Sequence, residues 1–335
     1  NSSAASDVYK RQDISLVIKM KGVLCEGGKR PPIVSTFPDP QPKADQVVIK
    51  IKAAGICGSD LHGSYRQDIE ERKKSGRDKL IPGHEGAGIV EEIGSIVENV
   101  KLGDRVVAYQ TTGCGYCELC RAGYDQYCLN KSKHWWLNTT VHGTHAEKLL
   151  IPSRACLELP EELSFADGAI AGCAGGTAYY ALNLTKVNPS SSVAIYGLGP
   201  VGLSAVMLAK AMGAKVIGID KIPERLQLAE KIGADYVVDF TKENPVESIM
   251  LLTGRRGADV CLECSGHPEA QINVVKSAKR PFGHVCLVGW MPKKNAMLNA
   301  GLIGGIWITR SFVCLLYTSD AADELDGVDL GGRRI

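Results

Sequence analysis

The sequence predicts a two-domain α/β protein in which a β-rich domain precedes a doubly wound parallel sheet. Three observations predict it. A chain of 335 residues is long enough to bury two cores. From 14 to about 171, short apolar runs alternate with glycine and proline, the texture of strands and turns. Beyond Pro189, strand-like and helix-like segments alternate, which calls for parallel strands joined by crossover helices. The expected division is 13–172 for the first domain and 173–313 for the second.

In the first domain the clearest strands are 46–53 and 87–93. The segment 64–80 is charged, lacks periodicity and reads as a solvated loop, with a role in lining a substrate cleft as the alternative. Cys114, Cys117, Cys120 and Cys128 follow in a glycine-rich lobe with C-x2-C-x2-C-x7-C spacing. Thiolates so spaced can converge at about 2.3 Å on one zinc ion, and four of them leave no coordination position open. The lobe is therefore read as a structural site. A second set of ligand-type residues, Cys57, His84, Glu85 and Cys173, is scattered through the chain as those of an open site would be. Two zinc ions per chain are expected.

In the second domain the predicted strands are 193–196, 216–220, 236–239, 260–263 and 285–288, and 306–313 supplies a sixth. Gly197-Leu198-Gly199-Pro200-Val201-Gly202 fits G-x-G-x-x-G. It follows an apolar strand, opens a helix running to about Met212 and precedes a strand ending in Asp220, the context of a Rossmann dinucleotide site. Glycines there let backbone N–H groups approach a pyrophosphate at the helix N-terminus. Asp220, roughly 20 residues on, would bind the ribose hydroxyls and repel a 2′-phosphate, so NAD is expected rather than NADP. Lys221 and Arg225 would contact the adenosine end or stand exposed.

Composition narrows the partners. The net charge of +2 and the interspersed acids and bases form no basic stripe, which argues against nucleic acid and for a small-molecule substrate. Twelve cysteines with metal-ligand spacing and no secretory signal favour a reducing compartment, read as the cytoplasm. The longest uncharged stretch, 193–209, is broken by Gly197, Gly199, Pro200 and Gly202, so no membrane span is expected.

Both ends read as translated sequencing-adapter DNA. One adapter string spells Ser2 to Gln12, and its reverse complement, read one base along, spells Cys314 to Asp323 and begins Glu324. Residues 1–12 and 314–335 are accordingly set aside from the fold, with the natural chain cut near Val313.

Cys57-Gly58-Ser59-Asp60-Leu61-His62, Pro82-Gly83-His84-Glu85-Gly86-Ala87-Gly88 and Cys173-Ala174-Gly175-Gly176-Thr177 stand beside the four-cysteine lobe and the cofactor turn. Together they resemble the zinc-dependent alcohol dehydrogenases of the medium-chain dehydrogenase/reductase superfamily. The resemblance spans nearly all of 14–313 and keeps the major motifs in family order. It implies a GroES-like catalytic domain ahead of the Rossmann domain. It also implies Cys57, His84 and Cys173 as the protein ligands of a catalytic zinc, with Glu85 next to the metal and able to ligate it when the site is empty. A Lewis-acid zinc would ease loss of the alcohol proton before hydride passes to NAD. Ser59 and His62 resemble the family's proton relay to solvent. Asp60 would orient His84, and Thr177 would pack beside the nicotinamide.

The implied substrates are small primary or secondary alcohols and the corresponding aldehydes and ketones. A polyol or sugar dehydrogenase on the same scaffold is the alternative. Cys173 weighs against it, since polyol relatives often place a carboxylate in that ligand role. A non-catalytic zinc-binding relative is a further alternative, opposed by the intact Cys57, His84, Ser59 and His62. Gly58 departs from the basic residue that many relatives carry near the cofactor phosphates. The C-terminal return that completes the family's catalytic domain is absent, so the chain is expected to be truncated and to lose stability or activity thereby. Family dimers pair near 306–313, which implies a homodimer or homotetramer at full length. Cys261 and Cys264 fall in a predicted strand and read as buried thiols, as do Cys25, Cys156 and Cys286. His134, Trp135 and Trp136 read either as a cleft wall or as core.

Overall fold

The structure is a computed structural model that describes residues 19–289 and 310–314. The expected tails 1–12 and 314–335 lie outside the described residues except for Cys314, which is not set aside from the fold but pairs with Leu287 in the last strand, and residues 306–309 of the expected sixth strand also lie outside them.

The first half is built from antiparallel strands. β1 (Lys19–Leu24) pairs with β2 (Ile33–Pro38). A five-stranded sheet follows from β3 (Gln46–Gly55), β4 (Glu85–Ile93), β5 (Arg105–Ala108), β8 (Lys148–Pro152) and β9 (Cys156–Glu158), in the order β8-β3-β4-β5-β9. The short strands β6 (Thr111–Thr112) and β7 (Trp135–Trp136) pair with each other at the root of the cysteine lobe. Val47, Ile49, Val90, Val106, Leu149 and Ile151 drive the sheet together by packing into one core.

Between β3 and β4, residues 64–80 are not the solvated loop their charge suggested. α1 (Gly58–Asp60) continues as a π-helical turn, Leu61–Tyr65, followed by α2 (Ile69–Lys74) and a 3-10 turn, Arg77–Lys79. Asp68 caps α2 by accepting the N–H groups of Glu70 and Glu71. Ser64, Arg72 and Arg77 are buried. Arg72 Nη1 donates to Gly63 O at 2.8 Å and Nη2 to Arg77 O at 2.7 Å, so a charged side chain becomes an internal strut.

α3 (Glu118–Arg121) lies in the cysteine lobe. α4 (Phe165–Ile170), started by a Ser164/Asp167 capping box, passes through a π-helical turn, Ala171–Gly175, into α5 (Gly176–Leu184). π-helical turns of this kind recur at functional sites, and this one carries Cys173.

The second half alternates β10 (Ser192–Tyr196), α6 (Pro200–Ala211), β11 (Lys215–Asp220), α7 (Pro223–Lys231), β12 (Tyr236–Asp239), α8 (Pro245–Leu252), β13 (Val260–Glu263), α9 (Pro268–Ser277), β14 (Gly283–Leu287) and β15 (Arg310–Cys314). Proline opens each of the four helices, where its missing N–H costs nothing. The strands are parallel, in the order β12-β11-β10-β13-β14-β15. Val193 and Ile195 face a core shared with α5 and α6, whereas Ala194 and Tyr196 face one shared with α8 and α9. Both faces are covered, which explains the continuous apolar strands. The apolar stretch 193–209 is thereby accounted for as β10 and most of α6, and among the described residues no helix is long and apolar enough to cross a membrane. Strand order reverses between β10 and β13, and such a reversal opens a crevice at the strands' carboxyl ends.

Candidate active site

Cys57, His84, Glu85 and Cys173 converge, each offering a ligand atom within 4.8 Å of the others. Cys57 caps α1, His84 and Glu85 lead into β4, and Cys173 comes from the π-helical turn after α4. His84 Nε2 lies 3.5 Å from Cys173 Sγ and 3.5 Å from Ser59 Oγ. Its Nδ1 lies 3.1 Å from Asp60 Oδ1, and both side chains are buried. The other oxygen of Asp60 accepts the N–H of Cys57 at 3.0 Å, so one carboxylate braces two residues of the cluster.

Asn138 belongs to this arrangement and sequence reasoning missed it. Its Nδ2 donates to Asp60 Oδ1 at 3.2 Å and to Ser64 Oγ at 3.0 Å. Its backbone is left-handed, with φ of 62°, a conformation that asparagine tolerates better than most residues. Nothing in the local sequence signals that this turn folds back onto Asp60.

The protonation balance of the cluster follows from its crowding. A hydrogen bond from Cys173 pulls the Cys57 thiol down to about 3 against the cost of burial, and His84 assists. That same hydrogen bond, together with burial, pushes Cys173 well above the ordinary thiol range. Burial opposes protonation of His84, yet its bonds to Asp60 and Cys57 outweigh this and raise it to about 10. Burial, and then the Cys57 charge, raises Glu85 to about 7. Two sulfurs, an imidazole and a carboxylate so close together suit a divalent zinc ion, which would relieve the repulsion among anionic donors.

The lobe forms the second convergence, with the sulfurs of Cys114, Cys117, Cys120 and Cys128 within 4.8 Å of one another. The N–H of Cys114 points at Cys128 Sγ at 3.2 Å, and that of Cys117 at Cys114 Sγ at 3.4 Å. This all-sulfur donor set fits zinc with no position left over.

The first cluster opens on a cleft of about 260 Å³ that both halves of the chain wall. Ser59, His62 and Asn138 come from one side, and Thr177, Gly199 and Pro200 from the other. A Cβ added at Gly199 would meet nothing within 4 Å, whereas one at Gly202 would lie 1.9 Å from Gly197 O. Gly202 is thus required by the fold, and Gly199 leaves room for a ligand to approach the backbone, as a pyrophosphate must. Asp220 is buried at the end of β11, where Oδ2 accepts the N–H of Leu198 at 2.7 Å and Oδ1 those of Lys221 and Ile222. Arg225 Nη1 lies 3.7 Å from Asp220 Oδ2, and Lys221 is exposed.

The remaining candidates divide. Trp136 and Gly58 line the cleft. Trp135 packs against the first-half core, and buried His134 meets Thr111 Oγ1 at 3.0 Å through Nε2. Cys264 corrects the expectation of two buried strand thiols. β13 ends at Glu263, so Cys264 falls beyond it, half-buried in the cleft wall, while Cys261, Cys25, Cys156 and Cys286 are buried as expected.

Comparison with known proteins agrees with this architecture. The family model for the alcohol dehydrogenase GroES-like domain matches residues 43–161, and that for zinc-binding dehydrogenase matches 200–325. The chain is 38% identical over 288 residues to an uncharacterized zinc-type alcohol dehydrogenase-like protein, YphC, of Escherichia coli K12, covering 82% of this chain and 80% of that protein. It is 35% identical over 299 residues to an alcohol dehydrogenase of Geobacillus stearothermophilus, covering 87% and 86%. Bacillus subtilis sorbitol dehydrogenase and L-threonine 3-dehydrogenase are also relatives. A solved structure from Sinorhizobium meliloti 1021, bound to NADP, aligns with a TM-score of 0.77 at 29% identity over 89% of this chain and 84% of that one. On the matched GroES-like and zinc-binding dehydrogenase domains, and on identity across most of both chains, the protein belongs to the zinc-dependent alcohol dehydrogenases of the medium-chain dehydrogenase/reductase superfamily.

Proposed function

We propose that the protein catalyses reversible oxidation of a small primary or secondary alcohol with NAD, using one zinc ion held by Cys57, His84 and Cys173 and a second held by the four-cysteine lobe. The observation that carries this reading is that the Cys57, His84, Glu85 and Cys173 cluster and the Gly199 turn share one cleft. When bound there, zinc supplies Lewis acidity and NAD supplies a two-electron acceptor.

The chain's own residues supply orientation and a route for the proton. Asp60 holds the His84 ring through Nδ1, which leaves Nε2 turned toward Cys173 and the cluster. Ser59 Oγ accepts the alcohol proton and passes its own to the His62 imidazole on the cleft wall, from which it reaches solvent. Thr177 and Val201 line the cleft, where they would border the nicotinamide of a bound NAD. Asp220 favours a ribose with free hydroxyls over one with a 2′-phosphate.

Burial, and then the charge of Arg66, hold His62 below the ordinary histidine range. A depressed value keeps the proton-accepting neutral form present to lower pH, and alcohol oxidation falls only as pH drops through it. His62→Ala is expected to lower kcat/KM for oxidation by about 10²-fold, the lower end of general acid–base catalysis, and to remove this acid limb. A pH–rate profile checks both, and an acid limb unchanged in the variant excludes His62 from the relay.

The reading is tested by following NADH and NADPH formation by absorbance with primary alcohols, secondary alcohols and polyols. Turnover of simple alcohols, faster with NAD than with NADP, is the expected result. Faster turnover of polyols would favour the second reading, which the sorbitol dehydrogenase relative supports. No turnover by a folded protein carrying two zinc ions would reject both.

A further inference from the structure

His145 joins the two chain segments that deliver Cys57 and His84, and the proton route described above does not use it. Neither His145 nor its partner Tyr65 is among the described residues that line the cleft, so neither meets the substrate there. Both are half-buried.

The segment 143–145 is laced to the residues that lead into His84. The N–H groups of Gly143, Thr144 and His145 donate to the carbonyls of Ile81, Gly83 and Pro82 at 2.7, 3.0 and 3.0 Å. From there the His145 ring crosses to the other ligand-bearing segment, where Nε2 lies 2.9 Å from Gly55 O, shortly before Cys57. On the way it packs against Gly83, where a Cβ would collide with Cδ2 and Nε2 of the ring. Gly55 in turn passes against Glu85, whose carboxylate occupies the space that a Cβ on Gly55 would take. A displaced ring would therefore move Cys57 through Gly55 and His84 through Gly83.

The ring is held in one state. A carbonyl only accepts, so Nε2 carries the proton, and Nδ1 of the neutral imidazole is left to accept. Tyr65 Oη, 3.0 Å away, donates to it. Burial, and then the charge of Cys25, push the Tyr65 pKa up, so the hydroxyl keeps the proton that it donates. Tyr65 ends the π-helical turn Leu61–Tyr65 that carries His62, which ties a third segment to the same ring. Moving the proton to Nδ1 would break both bonds at once.

Resting on the dehydrogenase reading above, we propose that His145 is a positioning residue that sets the spacing of Cys57 and His84 for the metal they hold, by bonding Gly55 O and packing on Gly83, with Tyr65 fixing its tautomer. It acts through the backbone and takes no part in proton or hydride movement.

Substitutions test this on the full chain carrying zinc in the cysteine lobe and cobalt in the Cys57 cluster, where the visible bands of cobalt report ligand geometry. His145→Phe keeps the ring and removes both polar atoms. It should shift the bands and lower kcat by about 10-fold with KM little changed, the lower end of what partners of metal ligands are worth. His145→Gln keeps an N–H and an acceptor at similar reach and should recover most of both. Tyr65→Phe removes one hydroxyl and should shift the bands the same way by less, which decides the matter if His145→Phe does not fold. Nitrogen NMR of the unaltered, histidine-labelled protein should find His145 neutral, with its proton on Nε2. Bands and kcat unmoved in His145→Phe, equal losses in the phenylalanine and glutamine variants, or a proton on Nδ1 would overturn the proposal. If no alcohol turns over, the dehydrogenase reading fails, and the bands and the tautomer still decide the place of His145. A cluster that takes up neither cobalt nor zinc removes both.

Discussion

Cys57→Ala is expected to lower kcat/KM for alcohol oxidation by more than about 10³-fold, because the Lewis acidity supplied at this cluster is worth several kcal/mol. Zinc content should fall from two ions per chain to one. The substitution removes the sulfur and its hydrogen bonds to Cys173 and His84 but leaves the surrounding backbone in place. The backbone N–H of residue 57 still reaches Asp60, so α1 keeps its start, and the Asp60 contact with His84 is untouched. Ser59 remains on the cleft wall. A near-normal melting temperature is therefore expected beside the lost activity, which separates loss of metal from loss of fold. Metal analysis by atomic absorption, run with the activity assay, checks the result. Two zinc ions retained, or activity preserved with one, would remove Cys57 from the ligand set.

Cys120→Ala should act in the opposite sense, on stability ahead of chemistry. The lobe has little else to hold it. α3 is four residues long, far short of what a helix needs to persist on its own. The accompanying bonds are few: Asp125 accepts the N–H of Gly113 at 2.7 Å, and Arg154 pairs with Asp125. A Cβ at Gly113 would lie 2.3 Å from Cys120 Sγ, so sulfur occupies the space where another loop would carry a side chain. Structural zinc contributes on the order of 10 kcal/mol to folding in isolated fingers. The lobe is anchored by the β6–β7 pair at its root, so its loss should unfold residues 113–130 locally, leaving the sheets intact. The expected signs are one zinc in place of two, protease cleavage within the lobe, and a melting temperature lower by about 5–10 °C, the shift that a loss of about 3 kcal/mol produces in a large domain. Chelation of the unaltered protein should reproduce the cleavage. A resistant lobe and an unchanged melting temperature would mean that the four cysteines do not share a metal.

Much of this molecule was legible in its residue order, for local reasons. The cysteine lobe and the glycine turn are short-range patterns, in which covalent spacing nearly fixes the geometry. Strands β10 to β13 were found to within a residue, because burial on both faces leaves continuous apolar runs. The sixth strand was found where it is described, with Arg310–Cys314 pairing in parallel with β14, and its expected start at 306–309 lies outside the described residues.

Residues 64–80 were misread because composition reports the usual environment of arginine. Only folding decides whether a carbonyl stands ready to receive a buried guanidinium, as those of Gly63 and Arg77 do for Arg72. Asn138 reaches Asp60 across a distant turn, and Cys264 leaves its strand one residue after Glu263. Neither fact has a periodic or compositional trace. The sequence by itself determined the kinds of donor present, the cofactor turn and the order of strands and helices, since these follow from chemistry that acts between near neighbours. The tertiary structure alone decided which donors meet, which charges line the cleft and how His84 is aimed, because those depend on where separate segments come to rest against one another.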